Sequence, residues 1–106
     1  MTYKGFARRL AQIFDSPRGL CSDFTWIIEL AYDNAMYGVT GQTWNCATAQ
    51  GLIEDSGICG IKQAIRACID VGWAMCAEDG DVQSDFVQEK MNNYLDRSLY
   101  LVSAEE

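Results

Sequence analysis

Histidine is absent from this 106-residue sequence, and that absence removes a large part of catalytic and metal chemistry. Thiol and hydroxyl nucleophiles normally need an imidazole base, and many zinc sites need imidazole ligands. Close cysteine pairs are missing as well. The five cysteines, Cys21, Cys46, Cys59, Cys68 and Cys76, are spaced 25, 13, 9 and 8 residues apart, so no Cys-x-x-Cys pair exists. They read as reduced thiols that pack as small apolar groups, and no metal or other cofactor is expected. No Gly-rich phosphate loop ending in Lys-Ser/Thr occurs. No apolar run approaches the roughly 18–20 residues that a membrane-crossing helix requires. Arg8 and Arg9 break the first apolar stretch, and the start lacks the apolar centre of a signal peptide. A cytoplasmic location is therefore expected.

Proline occurs once, at Pro17, so little interrupts long helices. Hydrophobic residues make up 49% and aromatic residues 11% of the chain, enough to form one core in one domain. Positive charge is scarce where negative charge is dense. Residues 1–69 hold six acids and six bases, whereas residues 70–106 hold nine acids against Lys90 and Arg97 alone. The entire net charge of −7 thus falls in the last third. Such a field repels nucleic acid and anionic membranes and attracts basic surfaces.

The apolar spacing predicts an all-α bundle of about five short amphipathic helices, 1–106 forming a single domain. The expected spans are 3–15, 23–37, 44–54, 58–77 and 84–102. In the first, Tyr3, Phe6, Leu10, Ile13 and Phe14 share a face, and Ser16-Pro17-Arg18-Gly19 ends it. Ser22 is the expected cap of the second, in which Phe24, Ile27, Ile28, Ala31 and Ala35 form one apolar face. A second apolar face, Trp26, Leu30 and Tyr37, lies roughly opposite, as on a helix buried centrally or docked on a partner. In the third segment Trp44, Ala47, Thr48 and Gly51 share a face, although Asn45, Thr48 and Gly51 are poor helix formers. The fourth carries the longest stripe, from Ile58 to Cys76, and is expected at the centre. There Gly72 allows a close crossing, and Arg66 and Asp70 stand in i,i+4 range. Val87, Met91, Tyr94, Leu95, Ser98, Leu99 and Val102 are the expected inner face of the fifth.

Two local motifs invite chemistry and fail on composition. Asp79, Asp81 and Asp85 have the spacing of a calcium loop, but Ser84 replaces the turn glycine and Lys90 replaces the bidentate acid. Gly41-Gln42-Thr43-Trp44 resembles the Gly-Gln-Cys-Trp nucleophile motif of transglutaminases over four residues. Thr43 stands at the nucleophile position, and no imidazole is available to serve Cys46, so no such activity follows. The chain reads as a non-enzyme.

What remains are surfaces. Asp70, Glu78, Asp79, Asp81, Asp85 and Glu89 cluster around the connection between the last two helices. Trp26, Leu30 and Tyr37 offer an aromatic and apolar contact, with Trp44 and Trp73 as further candidates. In size, charge and lack of catalytic motifs the chain resembles compact anti-defence proteins of phages and mobile elements, such as anti-CRISPR and anti-restriction proteins. The resemblance implies an inhibitor or adaptor that docks on a basic, nucleic-acid-handling surface of a partner protein, without direct nucleic-acid or membrane binding. An immunity protein or antitoxin facing a basic toxin uses the same physics. A structural or regulatory homodimer built on Trp26, Leu30 and Tyr37 is the third alternative.

Overall fold

The helices begin either behind a side chain that accepts from a first-turn amide or behind a left-handed glycine. The computed structural model describes residues 1–14, 19–38, 46–55 and 60–104, and among these all regular structure is helical. Helix α1 spans Tyr3–Ile13, α2 Leu20–Met36, α3 Ala47–Asp55, α4 Ile61–Ala77 and α5 Asp85–Ala104. Thr2 caps α1, its hydroxyl accepting from the Gly5 amide at 3.0 Å. Ser84 does the same for α5, accepting from the Val87 amide at 3.2 Å.

Helix α2 starts differently from the sequence expectation. Ser22 is not a cap but lies inside α2, which starts three residues earlier, after Gly19 at φ 64°. The earlier start adds Leu20 to the buried face, one turn before Phe24, which is what the extra turn gains. Helix α4 starts at Ile61, behind Gly60 at φ 83°, and the expected start at 58 lies outside the described residues. A Cβ at Gly60 would stand 2.7 Å from Leu101 Cδ2 and 3.0 Å from Phe14 Cε1, so glycine serves both the turn and the packing there.

Helix α4 is the central element, touching each of the other four and packing most extensively on α2. It buries Ile61, Ala64, Ile65, Ala67, Cys68, Ile69, Val71, Gly72, Ala74 and Met75, leaving one strip with Lys62, Gln63 and Arg66 exposed. The crossing with α2 is close at Gly72. A Cβ there would lie 2.5 Å from the Ile28 carbonyl oxygen and 2.7 Å from Ala31 Cβ. Phe24, Ile27, Ile28 and Ala31 complete the α2 side of the core, and Phe6, Ala7, Leu10, Ala11 and Phe14 the α1 side.

Two expected faces are corrected. In α3 the fully buried residue is Ala49, flanked by half-buried Leu52 and Ile53, while Ala47 is exposed and Trp44 lies outside the described residues. Cys46 precedes this helix, and its Sγ accepts from the Ala49 amide at 3.4 Å. In α5 the inner stripe is Val87, Met91, Leu95 and Ser98, and Leu99 is 53% exposed. Leu99 follows Ser98 by one 100° step, which turns it out of the stripe. The radius of gyration is 12.9 Å, the value expected of a compact chain of this length (about 13 Å).

Candidate functional site

The chain between α4 and α5 forms a tight turn that displays carboxylates. Helix α4 ends in a Schellman arrangement: the Gly80 amide donates to the Met75 carbonyl at 2.8 Å and the Asp79 amide to Cys76 at 3.1 Å. The left-handed residue of this motif is Asp79, at φ 55°, where glycine fits most easily. Asp81 turns the chain again, its Oδ1 accepting from the Gln83 amide at 3.0 Å. Gln88 then ties the turn to the start of α1. Its side-chain amide donates to the Met1 carbonyl at 2.7 Å and to Val82 at 2.9 Å, and its Oε1 accepts from the Met1 amine at 2.9 Å.

Asp79, Asp81, Asp85 and Glu89 are exposed on this turn and the start of α5, and Glu78 is half-exposed. Asp70 is different. Its carboxylate lies 3.3 Å from Arg66 Nε and accepts a hydrogen bond from the Tyr94 hydroxyl. Arg66–Asp70 is the one ion pair among the described residues. Burial and the bond to Asp70 push the Tyr94 hydroxyl up to about 12. The other cations of the last third lie over rings on their own helix, Lys90 over Phe86 and Arg97 over Tyr94, each 5.4 Å from the ring centre. The turn's carboxylates are therefore left without a partner cation among the described residues. Nor do they converge: among the described residues no group of three His, Cys, Asp or Glu side chains could hold a metal ion.

Beside the turn, α2 carries an open groove of about 410 Å³. Trp26, Glu29, Leu30 and Asp33 form its α2 wall at helical spacing, Tyr32 and Met75 border it, and Tyr3 closes one side. The Tyr3 hydroxyl donates to Glu29 Oε2 at 2.7 Å, and this bond, with burial, pushes the hydroxyl up to about 12. Trp26 is 60% exposed, so the outer face of α2 is not core. Leu30 is half-buried in the groove wall, whereas Tyr37, 77% exposed at the end of α2, is not part of it.

Groove and turn adjoin. Met75 lies under the groove and accepts the hydrogen bond that closes the turn. Tyr32 lines the groove, and a Cβ on Gly80 would be 3.1 Å from its hydroxyl. The sequence placed Trp26 and Leu30 apart from the acids of the turn; the α2–α4 crossing sets the groove they line beside that turn, through Tyr32 and Met75. Tyr3 was expected only on the apolar face of the first helix, and Glu29, Tyr32 and Asp33 were not expected at a site. The i,i+4 carboxylates Glu29 and Asp33, on the same side of α2 as Trp26 and Leu30, were the available signal.

Among the described residues no helix is long and apolar enough to cross a membrane. No protein-family model, no curated protein and no solved structure matches this chain.

Proposed function

We propose that this chain is a binding protein rather than an enzyme, and that its acidic and aromatic end docks on a basic surface of a partner protein. The supporting observation is the juxtaposition of the Trp26–Leu30 groove with the exposed carboxylates of the α4–α5 turn. Aromatic groups that shed water supply contact energy, while the surrounding charge speeds encounter and sets orientation. A surface rich in lysine and arginine, of the kind that otherwise holds nucleic acid, is the complementary partner. Inhibitors of nucleic-acid-processing defence proteins and immunity proteins against basic toxins are both instances of this reading. A homodimer through the same face is disfavoured by its own charge. A two-fold axis at Trp26 would bring Glu29 and Asp33 of two copies together.

The test starts with capture of a partner on the tagged chain, followed by measurement of the purified pair. Replacing Asp79, Asp81 and Asp85 by lysine should weaken binding at least tenfold. Wild-type affinity should also fall as salt rises from about 50 to 500 mM, through screening of the exposed charges. Affinity unchanged by both the substitutions and the salt overturns the proposal.

A further inference from the structure

We infer that the α2 groove is a pocket for one arginine side chain of the partner; this rests on the docking proposal for its biological setting but can be tested without it. Three rings, Tyr3, Trp26 and Tyr32, line the groove together with the carboxylates of Glu29 and Asp33. Aromatic faces attract cations, and carboxylates select cations that donate hydrogen bonds. Glu29 and Asp33 lie one turn apart on α2, a spacing at which like charges repel. Neither takes part in an ion pair among the described residues. A cation between them would therefore remove a repulsion as well as form new bonds.

Guanidinium fits this lining better than the alternatives. Trp26 lines the groove and is 60% exposed, and an indole ring accessible to a ligand can stack on a planar group. Glu29 Oε2 already accepts from Tyr3, which fixes the carboxylate and leaves Oε1 to accept from the ligand. A fork of five N–H donors can reach Glu29 and Asp33 together, whereas the compact ammonium of lysine serves them as a point charge. A trimethylated lysine donates no hydrogen bond and would leave both carboxylates unpaired on closing the site. Met75 forms an apolar border suited to the arginine stem.

The experiment follows the indole N–H signal of Trp26 in the full chain by NMR, assigned with Trp26→Phe. The probes are capped Gly-Xaa-Gly peptides in which Xaa is arginine, lysine, trimethyllysine or citrulline. The arginine peptide should shift the signal saturably and bind at least threefold more tightly than the lysine peptide, and citrulline should leave the signal in place. Glu29→Gln with Asp33→Asn should weaken the arginine peptide about tenfold, the scale of losing a charge-assisted hydrogen bond. Both residues are exposed, and circular dichroism of the double variant checks that its helices remain. A citrulline shift equal to that of arginine, tighter binding of trimethyllysine, or no response to any peptide overturns the inference. The Asp79, Asp81 and Asp85 lysine variant separates the two claims. If partner capture depends on those residues but the arginine peptide fails, the pocket alone is wrong. If the peptide binds but capture ignores those residues, the docking proposal alone is wrong.

Discussion

A methyl group at position 72 has no room, because the Ile28 carbonyl and Ala31 already occupy the space a Cβ would take. Even Gly72→Ala should therefore destabilise the fold, by about 1–3 kcal/mol as for other overpacked sites, measured as a lowered urea midpoint. An unchanged midpoint would mean that the helices cross less closely. The opposite sign is expected at Asp79. Glycine there relieves a left-handed residue and should stabilise by about 1 kcal/mol, while removing one carboxylate from the turn. Tyr3 and Tyr94 set the alkaline limit. Both hydroxyls are raised from 10 to about 12, so their contribution is complete below pH 10 and is lost as the pH rises toward 12. Urea midpoints across that window, read beside phenolate absorbance, should fall less steeply in Tyr94→Phe than in wild type. The close crossing at Gly72 was legible because a glycine interrupts an otherwise apolar stripe. The start at Gly19 was not, because Ser22 carries a better capping group and only the burial of Leu20 favours the earlier turn.

At the scale of the helix, α2 presents two apolar faces with different roles. Phe24 is fully buried against the core, and Phe24→Ala should cost about 3–5 kcal/mol in urea unfolding. Two residues on, Trp26 is largely exposed, and Trp26→Ala should change stability by no more than about 0.5 kcal/mol. A large loss at Trp26 would place the ring in the core and remove it from the contact surface. Periodicity revealed both faces of α2 but not which one the bundle covers, since that depends on where α1 and α4 pack. Helix α3 was harder to read. Its glycine and threonine blur the stripe, and Ala49 is too small to stand out, so its inner face was misplaced. In α5 the stripe was legible through Val87, Met91 and Leu95. Leu99 falls beyond it by one step, into a shallow depression with Arg9, Gln12 and Ile13.

Across the whole molecule, charge is sorted by place as well as by sequence. Among the described acids of the last third, Asp70 is held by Arg66 and Tyr94, an exposed set stands on the α4–α5 turn and the start of α5, and Asp96 is exposed farther along α5. The sequence could locate that acidic stretch but could not distinguish Asp70 from its neighbours, because Tyr94 reaches it from 24 positions away. Nor could it show that Glu29 and Asp33 stand beside the same turn, which depends on the α2–α4 crossing at Gly72. The groove's rings and carboxylates thereby adjoin the acidic turn, and the proposed function requires this surface to face a basic partner. Carbodiimide labelling of carboxylates, read by mass spectrometry with and without the captured partner, tests this most directly. Protection is expected at Asp33, Asp79, Asp81 and Asp85, with Glu54 and Asp96 labelled equally in both states. Protection at Asp96 with full labelling of the turn would contradict it.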